Sequence, residues 1–286
     1  MQIAFLVFMF IIGAAFGSFL CCQARRLHLR DGHRRVMRAK GDPQNACEAR
    51  FWGKSAQQDP SGKRHSLPKR SICLHCHKQL KWYDNLPIIS WLALRGKCRF
   101  CHKKIGTTEI LSELGSALAL LAIGTTININ TATPVEWATF AFTILATFTL
   151  IFLAIYDGAY GELPTFALII AAILSIAAVL PGLITSFSWQ PFLAAGLYGG
   201  IYLLLYIVSK GKWVGDGDWI LAATTGLILG TPWLAMVALF LANFIACIVT
   251  IPTLKNKKDH QIFFGPFLVM AFVIVYTFSD FLTSVI

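Results

Sequence analysis

Eight long apolar runs dominate the sequence, at about residues 3–22, 107–127, 134–156, 164–182, 191–209, 218–230, 232–252 and 262–284. A helix needs roughly 20 apolar residues to cross about 30 Å of hydrocarbon. Backbone polar groups in lipid are satisfied only within helices or closed barrels. Runs of this length therefore predict an all-α polytopic membrane protein with about eight transmembrane helices. The sixth, 218–230, is too short to span alone unless it is tilted or joined to its neighbour through Gly230, Thr231 and Pro232. Composition points the same way: 56% of the 286 residues are hydrophobic and 14% charged, where a soluble domain carries about 25% charged. Mean hydropathy is +0.62. Disorder, a coiled coil, collagen and an ordinary cytosolic enzyme are excluded.

The net charge is +11, and its distribution decides the topology. Residues 23–106 hold 20 Lys and Arg against 5 Asp and Glu, net +15; the other basic residues are Lys210, Lys212, Lys255, Lys257 and Lys258. Short loops rich in Lys and Arg stay in the cytoplasm. That rule places 23–106, 157–163, 210–217 and 253–261 on the cytoplasmic side and both termini outside. Arg25 and Arg26 follow the first apolar run, so it reads as an uncleaved helix rather than a signal peptide, which carries its basic region in front. Leu20 before Cys21 likewise argues against lipidation there. The chain thus divides into a first transmembrane helix (1–22), a cytoplasmic basic loop (23–106) and a membrane core (107–286). Positive charge beside membrane helices matches topology and anionic lipids, so membrane lipids are expected partners and nucleic acid is not.

Within the basic loop, Cys73-Leu-His-Cys76 and Cys98-Arg-Phe-Cys101 form two C-x-x-C pairs separated by 21 residues. Each pair can turn two thiolates onto one tetrahedral ion, and two pairs complete a four-cysteine zinc site. Disulfides are the alternative, and a reducing cytoplasmic location argues against them. His75, His77 and His102 flank the cysteines and read as bystanders, with replacement of one cysteine left open.

Nine acids follow residue 106, and ionisable groups near a membrane are costly enough to be functional candidates. Glu109 and Glu113 share a helix face, suited to capping or to pairing with the basic loop. Asp157 ends the third run in Tyr156-Asp157-Gly158-Ala159-Tyr160-Gly161-Glu162-Leu163-Pro164, and Asp218 begins the sixth in Gly215-Asp216-Gly217-Asp218. Topology puts the two in one membrane layer. Carboxylates brought together at a partly dry interface do not both ionise easily, so the pair shares a proton. The charged member can then activate water while the protonated member polarises a carbonyl. The bland alternative makes Asp218 a helix N-cap and Asp157 a solvated loop acid.

Together these residues resemble the type IV prepilin peptidases (prepilin leader peptidase/N-methyltransferases), Gly-x-Gly-Asp membrane aspartic proteases. The resemblance rests on Gly17-Ser18-Phe19-Leu20 with Arg26-Leu27, on the Cys73–Cys101 module with Asn85-Leu86-Pro87 inside it, on Asp157 with Leu163-Pro164, on Gly215-Asp216-Gly217-Asp218, and on Phe264-Gly265-Pro266-Phe267-Leu268. It implies catalytic Asp157 and Asp218, and zinc ligands Cys73, Cys76, Cys98 and Cys101. Many relatives carry further aspartates where this chain has Ala159 and Thr165, and Cys21-Cys22 stands where Asn-Val is usual. Asp216 competes with Asp218 for the second role, and the motif position favours Asp218. The implied activity is removal of the basic leader from type IV prepilins or type II secretion pseudopilins at the cytoplasmic face of a bacterial inner membrane. Members with the four-cysteine module often also N-methylate the new terminus with S-adenosylmethionine. A presenilin-like protease of other membrane segments and a non-enzymatic zinc-containing assembly or transport protein are the alternatives.

Overall fold

The computed structural model describes residues 1–38, 76, 78–104, 107–211, 213–254 and 263–284. Of the four predicted cysteine ligands, Cys73 lies outside the described residues. So do Asp259 and two of the three neighbouring histidines, His75 and His77.

The apolar runs fold as helices α1 (Gln2–Arg38), α3 (Thr107–Gly124), α4 (Pro134–Tyr160), α5 (Thr165–Thr185), α6 (Gln190–Ser209), α7 (Asp218–Leu229), α8 (Pro232–Leu254) and α9 (Gly265–Thr277). A short α2 (Ile89–Ala93) lies between α1 and α3, and α10 (Ser279–Ser284) follows α9. Six helices are long and apolar enough to cross a membrane, while α7 and α9 are shorter apolar helices. The protein is therefore a multi-pass membrane protein, and the predicted all-α architecture holds. Helix α1 runs past its apolar stretch without a break. The last predicted run is interrupted at Phe278, between α9 and α10.

Local signals set the ends. Thr133 and Glu136 form a reciprocal capping box at the start of α4, with Glu136 exposed to solvent. Gly161 closes α4 in the left-handed conformation (φ 68°), where the absence of a Cβ removes the usual cost.

Side-chain size is inverted relative to a soluble bundle. On α5, Ile169, Ile173, Ile176 and Leu180 lie exposed along one face, while Ala167, Ala171, Ser175 and Ala178 are buried. Helices in lipid gain little from burying leucine, so close approach at small residues drives their packing. The contact of α1 with α3 shows this most sharply. A Cβ on Gly13 would stand 2.6 Å from the Ser116 carbonyl oxygen, and one on Gly17 2.5 Å from that of Ser112. The core between α4, α6, α7 and α9 is built from Leu150, Leu153, Tyr198, Leu221, Leu268 and Phe272. Helix α7 packs against α5, α6 and α9, and nine of its twelve residues are buried. At 1.5 Å per residue it is about 18 Å long, little more than half the hydrocarbon thickness.

Candidate active site and cysteine cluster

Asp157 sits one turn before the end of α4 and Asp218 is the first residue of α7; each is 5% exposed. One carboxylate oxygen of Asp157 accepts a hydrogen bond from the backbone N–H of Gly265 at 2.9 Å. Gly265 opens α9 and Pro266 follows it, so this donor is one of the first-turn N–H groups that a helix leaves unsatisfied. Asp218 accepts from the backbone N–H of Gly215, also at 2.9 Å. The N-cap of α7 is Gly217, and the Asp218 side chain reaches backward rather than capping its own helix. Asp216 is exposed.

Three short segments interlock to hold this arrangement. A Cβ on Gly265 would stand 2.7 Å from the Asp157 carboxylate, and one on Gly217 2.8 Å from Leu163. A Cβ on Gly161 would strike the Phe263 ring. The Asp157 turn, with its Leu163-Pro164 step, the Gly215–Asp218 turn and the start of α9 thus meet where backbone touches neighbour directly.

Near Phe264, just before α9, lies a polar group that the sequence pattern does not single out. The Asn243 amide donates to the Tyr202 hydroxyl at 3.1 Å. Tyr202 is 1% exposed and meets Phe264 edge-on with ring centroids 6.3 Å apart. The one sequence signal is an amide inside the otherwise apolar run 232–252.

The cysteine segment is tied to α3 through the Ile88–Glu113 hydrogen bond. The Sγ atoms of Cys76, Cys98 and Cys101 all lie within 4.8 Å of one another. Tetrahedral zinc with bonds of about 2.3 Å sets its sulfurs about 3.8 Å apart, so these three fit a shared ion. The Cys98 N–H donates to the Lys103 carbonyl, and the His102 N–H to the Cys98 carbonyl, both at 2.9 Å. These bonds fold a tight knuckle that turns the second cysteine pair inward. Arg99 pairs with Asp84 at 2.8 Å, pinning the knuckle to the preceding turn.

Glu109 and Glu113 tie this region to the membrane. Glu109 pairs with Arg25 of α1 at 2.5 Å. Buried Glu113 accepts from the Ile88 backbone N–H at 2.7 Å, at a residue held at φ 61°, a conformation costly for a β-branched side chain. Glu109 thus ties α3 to α1, and Glu113 ties it to the segment between them.

Apolar helices with two buried carboxylates near helix ends, and a three-cysteine cluster in the segment between α1 and α3, define a polytopic membrane protein. Residues 11–127 match the family model described as the bacterial peptidase A24 N-terminal domain. The chain is 30% identical over 282 residues to a prepilin leader peptidase/N-methyltransferase of Burkholderia pseudomallei strain 1026b, covering 94% of this chain and 82% of that protein. It is 30% identical over 228 residues to one of Aeromonas hydrophila, covering 75% and 73%, and 25% identical over 301 residues to one of Stutzerimonas stutzeri, covering 99% and 93%. No solved structure matches the chain. The chain belongs to the prepilin leader peptidase/N-methyltransferase family.

Proposed function

We propose that the protein is an aspartic endopeptidase that removes the basic leader of type IV prepilins or type II secretion pseudopilins. Its membrane is the bacterial inner membrane, with the Asp157 end of the bundle facing the cytoplasm. Asp157 and Asp218 are the catalytic pair. The observation carrying this reading is that both carboxylates are buried at adjoining helix ends, each fixed by a glycine N–H. One carboxylate takes a proton from water, whose oxygen attacks the scissile carbonyl, while the other, protonated, donates to the carbonyl oxygen; the diol then collapses with cleavage of the C–N bond as the first acid gives its proton to the leaving amine and the second recovers one from the diol. Paired acids of this kind supply such proton transfers in alternation. Asp216, exposed beside them, tunes the local field.

The division at residues 1–22, 23–106 and 107–286 is retained as the functional one. Cys73, Cys76, Cys98 and Cys101 would hold one structural zinc, supplying folding energy to a segment without a core of its own. Methylation of the new N-terminus by S-adenosylmethionine is supported by the relatives' names, and no residue here is assigned to it.

The test is mass spectrometry of a pilin co-expressed with wild-type, Asp157→Asn, Asp218→Asn or Asp216→Asn protein. Wild-type and Asp216→Asn protein should remove the leader. The other two should cleave below about a thousandth of the wild-type rate, since each loses its role in proton transfer. Full cleavage by Asp157→Asn would defeat the aspartic mechanism. Full cleavage by Asp218→Asn with a dead Asp216→Asn would move the second role to Asp216.

A further inference from the structure

Asp157 stands in the last turn of α4, and its backbone carbonyl accepts the bond that closes the helix, from the Gly161 N–H at 2.7 Å. Helix ends fray, because their last carbonyls have no partner further along the chain. A side chain that must hold one position there needs its turn fastened from outside. The Gly265 N–H holds the carboxylate of Asp157, and a separate contact holds the turn. Helix α1 continues past its apolar stretch and brings His28 to the end of α4. There the imidazole stacks on the half-buried ring of Tyr160, with centroids 3.8 Å apart and planes 5° from parallel. Tyr160 meets Tyr156 at 5.0 Å, and Tyr156 meets His28 edge-on at 6.3 Å, so the three rings close on one another. Tyr156 immediately precedes Asp157 and is buried, and Tyr160 is the last residue of α4. Arg25, a near neighbour of His28 on the surface of α1, pairs with Glu109 of α3. Helix α1 is thereby fastened to α3 where it reaches α4.

We propose, resting on the peptidase reading above, that His28 is a positioning residue: its stack on Tyr160 clamps the final turn of α4 and so sets the backbone from which the Asp157 carboxylate is held. A parallel stack at contact distance restrains the tilt of Tyr160 as well as its distance from α1. Tyr156 and Tyr160 are four residues apart and share one helix face. Asp157 lies between them in sequence and projects from the adjoining face, so the clamp grips the turn without occupying the carboxylate's own surroundings. Any slip or unwinding of that turn moves both tyrosines against His28. The contact is made by side chains alone, so its effect on Asp157 passes through the backbone of a single helical turn.

The experiment measures cleavage of a prepilin by the purified full chain in proteoliposomes, for His28→Ala, His28→Phe, Tyr160→Ala and the double variant His28→Ala/Tyr160→Ala. A turn loosened by a fraction of an ångström should lower kcat about tenfold in His28→Ala and leave KM within about twofold of wild type. His28→Phe restores a flat ring and should recover the rate to within about threefold, as aromatic stacking does not need the imidazole nitrogens. Tyr160→Ala should lose as much as His28→Ala, and the double variant little more, since both remove the same contact. Hydrogen exchange gives a readout independent of activity: the backbone amides of residues 158–161 should exchange faster in His28→Ala and at the wild-type rate in His28→Phe. Several results overturn the proposal: a wild-type rate in His28→Ala, a loss that His28→Phe does not repair, fully additive losses in the double variant, or unchanged exchange at 158–161. A His28→Ala protein that fails to fold also overturns it, by making the stack a general prop rather than a local clamp. Wild-type protein that cleaves no prepilin defeats the peptidase reading instead, and the exchange comparison then decides the clamp on its own.

Discussion

Replacing Gly265 by Ala tests the carboxylate geometry without touching a carboxylate. The new methyl group would begin 2.7 Å from the nearer Asp157 oxygen and 3.1 Å from its Cβ and Cγ. Ordinary van der Waals contact begins at 3.4 Å, so the side chain must retreat by about 0.7 Å, against its own backbone and the start of α9. The 2.9 Å bond from the Gly265 N–H is then stretched or lost. A hydrogen bond to a charged group is worth about 1.5–3 kcal/mol. Misplacement of a catalytic group by about 1 Å costs roughly 100-fold in rate, equivalent to about 2.7 kcal/mol. The two routes agree, and cleavage should fall about 100-fold. The strained contact and the weakened bond should also cost about 1.5–3 kcal/mol of stability, so cleavage is compared at a temperature where both proteins remain folded. Gly196→Ala is the control, because nothing lies within 4 Å of its added Cβ. Initial cleavage rates and melting curves on purified protein measure both quantities. A stable Gly265→Ala protein that cleaves at the wild-type rate would refute the claim that this contact positions Asp157.

Three further outcomes are expected. Purified protein should contain close to one zinc per chain by elemental analysis, and Cys98→Ser should lose it and expose residues 76–104 to protease. Glu113→Ala removes the acceptor for the Ile88 N–H, a loss of about 1.5–3 kcal/mol, and amide exchange at residues 88–94 should accelerate tenfold or more. A single cysteine at Glu162 or Gly211, in a background without native thiols, should resist an impermeant thiol reagent applied outside intact cells; labelling there would reverse the assigned orientation.

The apolar segments were legible because lipid imposes a length on a helix that composition alone reveals. Even the short sixth run emerged within a residue of α7, since Gly217 and Gly230 bracket it. The break at Phe278 was not legible, because apolar residues continue through it. Asp157 and Asp218 stood out as acids in an apolar chain, whereas their hydrogen-bond donors did not. Gly215 and Gly265 act through backbone N–H groups, which every residue but proline carries, so only the fold distinguishes them. Tyr202 was hidden among seven tyrosines, its place set by an Asn243 contact across 41 positions.

Helices α7 and α9 are only twelve and thirteen residues long, and Asp218 and Gly265 stand at their first residues. A bilayer relieves such shortness by thinning or by letting water fill the gap. Hydrolysis needs a water supply that lipid would otherwise deny, and bilayer thinning over two short helices would bring water toward the buried carboxylates. Membrane thickness then becomes a control on turnover. Longer acyl chains would resist thinning and slow the entry of water, while shorter chains would leave the acids open to bulk solvent. Turnover in vesicles should pass through an optimum as lipid length is varied, at a thickness set by the shortest helices in the protein rather than by the six long ones.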